Sequence, residues 1–307
     1  MAIPDFQTLM LPVLKTAGSD EVSIGDVITK LADDFKLSED ERNQMLPSGH
    51  QTTLANRIGW AKPYLAKAGL LEATKRGYFR ITNLGSGVLS APPSRIDISF
   101  LRQYPKFEEF RSGERNVDGE KIEQAVAVLE QSSQTPDELL RATHQEIEKS
   151  LQTDLLDRVI AAPPSFFETL IVSVLMAMGY GGFRDEAGRA IGKTGDGGLD
   201  GVIDQDPLGL DRVYVQAKRY KRDLAVSEPE IRGFAGSLES VKATKGVFVT
   251  TSYFTAPASA FVEKIARRIV LIDGHHLARL MVKYNVGVRI EETLHIKKID
   301  EDYFVSD

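Results

Sequence analysis

The 307-residue chain contains no cysteine. That excludes disulfides, thiol nucleophiles and zinc knuckles, and it fits a protein of the reducing cytoplasm. No apolar run approaches the roughly 20 residues of a membrane span, so no membrane partner is expected. The opening stretch, MAIPDFQTLMLPVLKTAG, has an early Asp5 and no basic n-region, so a signal peptide is not expected either. Internal repeats and low-complexity tracts are absent. Excess positive charge is missing as well. The formal net charge is −6, so the molecule as a whole is no obvious polyanion binder.

That average hides a strong asymmetry. Residues 1–49 set Lys15, Lys30, Lys36 and Arg42 against nine carboxylates, whereas residues 50–90 set Arg57, Lys62, Lys67, Lys75, Arg76 and Arg80 against Glu72 alone. A second basic cluster comprises Arg212, Lys218, Arg219, Lys221 and Arg222. Local clusters of this kind matter more than net charge when the partner is a phosphate backbone.

Length suggests about two domains. The first 90 residues predict helices over 5–17, after Ser23, after Ser38 and from Ser48 through LANRIGWAKPYLAK. Pro63 is expected to start or kink a turn inside the last of these. A hairpin should turn around Arg76-Gly77, with a short helix after Gly85. Helices followed by a small basic hairpin describe a winged helix, in which a helix enters the major groove and the hairpin touches backbone. On that placement His50, Gln51, Thr52, Asn56 and Arg57 are candidates to face the groove. Arg57, Arg76, Arg80, Arg219 and Lys221 are the candidate DNA contacts.

Residues 91–134 are expected to link this domain to the rest. From Thr135-Pro136, a cap and a first-turn proline begin a long helix to about Ala161. Beyond it lie an apolar helix in PPSFFETLIVSVLMAMGYGG, then strands at 201–204 and 212–218, a helix at 228–241, a strand at 246–251, a helix at 256–267, a strand at 269–272 and a helix at 275–284. This order is that of a mixed α/β core spanning 135–307.

The chemistry concentrates in one place. Ten of the 25 glycines fall between Gly179 and Gly209, around Asp200. Such density signals an unusual backbone path or close approach by a ligand. Downstream, VYVQAK alternates. Val213, Val215 and Ala217 share one face, and Tyr214, Gln216 and Lys218 share the other. A short connection folds Asp200 back toward Gln216 and Lys218. A carboxylate, an amide oxygen and a lysine suit metal-assisted hydrolysis. A hard cation such as Mg²⁺ takes those oxygens, and the lysine serves water or charge developing on phosphorus. Asp204 shares the parity of Asp200, which makes it a minor second candidate. Asp196, Trp60 and Tyr64 read as structural. Thr250, Thr251 and Ser252 read as a strand-end turn, and His275-His276 as a helix start.

Asp200 followed by Gln216-Ala217-Lys218 resembles the PD-(D/E)xK nuclease core, with Glu168 matching the acidic residue of that fold's first helix. SFFE, GYGG, GKTGDGGLDGVI, VYVQAKRY and GVFVTTSYFT together look like the Mrr-type, modification-dependent (type IV) restriction endonucleases over roughly residues 160–285. NRIGWAKPYLAKAGLLEATKRGYFRIT is similar to that family's N-terminal winged helix. The resemblance implies an α/β restriction-endonuclease-like core at the C-terminus and a winged-helix domain over 1–90. It implies catalysis by Glu168, Asp200, Gln216 and Lys218, with Mg²⁺ held by Asp200, Gln216 and Glu168. The implied substrate is methylated double-stranded DNA, and two sites for two strands imply a homodimer or higher assembly. Gln216 stands where most of the superfamily has a carboxylate. The same residues leave two alternatives, a repair or junction-resolving nuclease and a non-catalytic DNA-binding sensor. Ser165 and Glu168 also form a capping-box pattern, which would compete for the Glu168 carboxylate.

Overall fold

A computed structural model describes residues 2–18, 20–75, 77–113, 132–181, 188–190, 198–206, 210–297 and 299. The chain divides into two compact units, residues 1–144 with 298–307, and residues 145–297.

The first unit begins with α1 (Phe6–Ala17), whose N-terminus is capped by the Asp5 carboxylate. Its Phe6, Leu9, Met10, Val13 and Leu14 are buried. Then come β1 (Val22–Ser23), α2 (Ile24–Asp34), α3 (Glu39–Arg42) and α4 (Thr53–Lys67), the helices capped by Ser23, Ser38 and Thr52. Pro63 does not break α4, which continues through it to Lys67. The pair β2 (Leu71–Ala73) and β3 (Tyr78–Ile81) forms a hairpin, and β1 adds to β3, giving the antiparallel order β1-β3-β2. Helices α1, α2 and α4 with this small sheet make up the winged-helix arrangement.

A further helix, α5 (Asn83–Ser90), starts at the Thr82 cap, ahead of Gly85. Two short helices follow, α6 (Ile98–Leu101) and α7 (Pro105–Gly113). Their Ile98, Leu101 and Phe107, with Ile96, are buried in the core of the first unit, although they fall within the segment expected to be a linker. Trp60 and Tyr64 pack against the same core, as expected.

The long helix α8 (Pro136–Ala161) opens with a reciprocal cap. Thr135 Oγ1 accepts from the Glu138 N–H, and Glu138 Oε2 accepts from the Thr135 N–H.

The second unit carries a sheet ordered β4-β5-β6-β7-β8. Its strands are β4 (Gly188–Ala190), β5 (Gly201–Asp204), β6 (Arg212–Lys218), β7 (Lys245–Thr250) and β8 (Arg268–Ile272). The first three pair antiparallel, and β6, β7 and β8 run parallel. Helix α9 (Pro164–Ala177) buries Phe167, Leu170, Ile171, Val174 and Leu175 against the face formed by Ile203, Val213, Val215, Val247 and Val249. Each such side chain contributes about 1.5–3 kcal/mol by leaving water. The other face is covered by α10 (Glu228–Ser240) and α11 (Ala256–Val262), whose Ile231, Phe234, Leu238 and Ala258 surround Phe248 and Ile269. Helix α12 (Gly274–Lys283) closes the unit beside α9, with Leu277, Leu280 and Met281 in the core on that side.

Candidate active site

Strand β6 alternates as its sequence requires. Val213 and Val215 are buried on the α9 side, and Gln216 and Lys218 project from the α10 side. The β5–β6 register pairs Gly201 with Val215, so its next step sets Asp200 beside Gln216. Side chains opposed in this way have Cβ atoms about 5 Å apart, and a diagonal neighbour such as Lys218 is about 7–8 Å away. Asp200 is anchored at both ends. Its N–H donates to the Val215 carbonyl at 2.9 Å, and its Oδ2 accepts from the Ala217 N–H at 2.8 Å. The other carboxylate oxygen, Oδ1, is not part of this clasp.

Gln216 is 7% exposed, and among the described residues no hydrogen-bond donor meets its buried Oε1. An orphaned acceptor of this kind costs about 1–3 kcal/mol and calls for a partner. Gly198 explains part of the glycine density. Its φ is +91°, and a Cβ there would sit 2.9 Å from Gln216 Nε2. Only glycine combines that conformation with so close an approach. A carboxylate oxygen and an unpartnered amide oxygen suit a hard cation such as Mg²⁺. Among the described residues no group of three or more His, Cys, Asp and Glu side chains converges on one point. Asp196 and the rest of 191–197 lie outside the described residues, as does Arg76.

An open recess of about 200 Å³ adjoins the pair, lined by Gln216, Lys218, Glu230, Gly233, Phe234, Ser237 and Phe248. Glu230 was not visible as a site residue in the sequence. The Ser227-x-x-Glu230 spacing signals only a helix cap, and that cap is present. Burial alone would raise the Glu230 carboxyl. Hydrogen bonds from the Ser227 N–H, the Tyr220 hydroxyl and the Ser227 hydroxyl outweigh it, the nearby Lys218 charge adds to them, and the group is held below the usual carboxylate range.

Glu168 is placed differently from the other three. It lies in the second turn of α9, over the opposite face of the sheet, and no hydrogen bond or ion pair among the described residues joins it to Asp200, Gln216 or Lys218. The competing capping box does not form. Pro163 and Pro164 start the helix two residues before Ser165 could cap it, and no side-chain cap is made. Asp204 is answered by Arg212, directly across the register, at 3.3 Å.

Several basic residues are spent inside the protein. Arg57, expected to face the groove, is held by partners within the protein. Its Nε and Nη2 donate to Glu138, at 2.8 Å for Nη2, and its Nη1 donates to the carbonyls of Ile3 and Pro4. Asn56 is likewise buried, bonded to Asp137 and Thr135, and Thr52 is a cap. With the Arg57 side chain only 18% exposed, Arg57→Ala is expected to cost about 2–3 kcal/mol by stranding a buried partner. Thermal denaturation should show this, whereas the salt dependence of DNA binding should stay at the parental slope.

Arg219 is half-buried. Its guanidinium donates to the Ile160 carbonyl at the end of α8. Arg222 is paired with Asp157. The hydroxyls of Thr250, Thr251 and Ser252 fasten the loop after β6 through the carbonyls of Lys218, Tyr220 and Leu224. Arg80 pairs with Glu72 at 2.6 Å, but both are about half exposed. A phosphate can displace so weak a surface pair. Lys221 is exposed.

Comparison with known proteins gives the family. Residues 160–281 match the family model Mrr_cat, described as a restriction endonuclease, and residues 6–91 match the Mrr N-terminal domain. The type IV methyl-directed restriction enzyme EcoKMrr of Escherichia coli strain K12 is 34% identical over 309 residues, covering 99% of this chain and 100% of that protein. Among solved structures, the DNA modification-dependent restriction endonuclease AspBHI is 22% identical with a TM-score of 0.36, over 46% of this chain and 36% of that one. The MspJI restriction endonuclease in complex with a 27-mer oligonucleotide is 27% identical with a TM-score of 0.34, over 46% and 33%. The chain thus spans about a third of the length of those two structures.

Proposed function

The chain belongs to the Mrr family of restriction endonucleases, and on that premise we propose that it is a type IV enzyme, cutting methylated double-stranded DNA by metal-assisted hydrolysis of phosphodiester bonds. The observation that carries the mechanism is the buried Gln216 Oε1, without a donor among the described residues, beside a carboxylate clasped by the next strand's amide. Asp200 and Gln216 would hold Mg²⁺. When bound, the cation would supply polarisation of a phosphoryl oxygen and a more acidic water. Ala217 keeps Asp200 aimed without rearrangement. Lys218, at the mouth of the recess, would stabilise charge developing on phosphorus or orient the attacking water.

The winged helix would hold the duplex. On α4, Lys67 is exposed and Lys62 half-buried, their ammonium groups lying over the rings of Phe110 and Phe79. With Arg80 and Lys221 they are the cations we assign to phosphate contact, which fixes position on DNA without reading sequence. Cutting both strands calls for two copies of the site, hence a homodimer or larger assembly on DNA.

The test is one plasmid in methylated and unmethylated form, incubated with purified protein and Mg²⁺. Cutting of the methylated form alone is expected. Equal cutting of both forms would remove modification dependence and favour a repair nuclease. Metal-independent binding without any cutting, across several methylation patterns, would favour a sensor.

A further inference from the structure

The recess beside the proposed catalytic trio holds a carboxylate that the mechanism above does not use. Glu230, in the first turn of α10, shares the recess with Gln216 and Lys218. Its Oε2 accepts from the Ser227 N–H and hydroxyl, both at 2.8 Å, and its Oε1 accepts from the Tyr220 hydroxyl at 2.8 Å. A helix cap alone needs only the bonds to Ser227. Here the second oxygen is also held, so the charge is fixed in place.

The backbone around Lys218 is fixed too. Its carbonyl accepts from Thr250 Oγ1 at 2.8 Å, and the Tyr220 N–H donates to Thr251 Oγ1 at 2.8 Å. What can still swing is the four-carbon arm of Lys218. No direct ion pair joins Lys218 to Glu230 among the described residues, so the attraction acts across the recess, and it is felt at Glu230.

The geometry points to Glu230 as a positioning residue: its anchored charge keeps the Lys218 ammonium in the recess beside Gln216, where the scissile phosphate must arrive. This rests on the nuclease reading above, and it adds a group that Gln216, being neutral, cannot replace. Glu230 acts on the substrate only through Lys218.

Two variants separate this role from helix capping. Glu230→Gln keeps the shape and a capping acceptor but removes the charge. Ser227→Ala removes one of the three bonds to the Glu230 carboxylate and keeps the charge. Both are compared with the parent for kcat and KM on methylated plasmid and for thermal midpoint. Glu230→Gln should lower kcat by roughly tenfold to a hundredfold, the scale of a misplaced group, with KM and midpoint near parental. Ser227→Ala should lower the midpoint and, with the Ser227 N–H and the Tyr220 hydroxyl still holding Glu230, lower kcat far less than Glu230→Gln does.

Parental kcat in Glu230→Gln would overturn the inference. So would equal kcat losses in both variants, or a collapsed midpoint in Glu230→Gln, since each assigns Glu230 to the fold alone. A parent that cuts nothing overturns the nuclease reading itself, and that failure appears before any variant is made.

Discussion

Asp200→Ala should abolish cleavage of methylated DNA while leaving the protein bound to it. Removing the carboxylate forfeits the charge stabilisation a bound cation supplies, several kcal/mol, or roughly a thousandfold in rate. The substitution also strands the Ala217 N–H that Asp200 Oδ2 now accepts, costing about 1 kcal/mol of stability. Asp200→Asn keeps an oxygen acceptor for that amide and loses only the charge. The two variants should therefore be equally inactive but differ in melting midpoint. Plasmid nicking across a range of Mg²⁺ concentrations, with gel-shift affinity measured in parallel, checks both parts. Cleavage by Asp200→Asn within tenfold of the parent would remove Asp200 from the site.

Lys218→Ala is the second large effect. Losing a preorganised positive group aimed at developing charge costs about 10²–10³ in rate. Lys218 sits on the α10 face of β6 and lines the recess with Gln216, so its loss should register in kcat. Binding should change little. If Lys218 contacts one phosphate, the slope of log affinity against log salt falls by about 0.9, and no further. A non-catalytic DNA binder would show only that change in slope. Single-turnover cleavage and salt-dependent binding on the same preparation distinguish the two.

Gln216 and Lys218 were legible in the sequence because strand alternation is a local rule. VYVQAK assigns Gln216 and Lys218 to one face without reference to anything outside the strand. The boundaries 201–204 and 212–218 emerge unchanged. Arg57 was not legible, because what binds it is distant in sequence. Glu138 lies 81 residues away, and the carbonyls of Ile3 and Pro4 lie 54 and 53 residues away. A basic residue on a basic helix gives no sign of partners at that distance. Glu230 was hidden for the opposite reason: a local pattern, the capping box, accounts for it completely until the recess is seen. The Ser165 pattern failed because Pro163 and Pro164 set the helix start first. Ile98 and Leu101 escaped notice because a helix of four residues shows no period.

The mixed pairing of the sheet also dictates an order of assembly. Strands β5 and β6 are antiparallel neighbours joined by a short connection, so Asp200 and Gln216 can meet early, by closure of a small loop. Strand β7 reaches β6 only after α10 has been traversed, and Tyr214 then pairs with Gly246 in parallel. Such long-range pairings form slowly. Until they form, β6 presents an unsatisfied edge of seven residues that includes Val213 and Val215, a template for wrong pairing with another chain. Refolding yield should therefore fall steeply with protein concentration, and truncations that remove β7 should leave a hairpin that aggregates although both halves of the proposed metal site are in place.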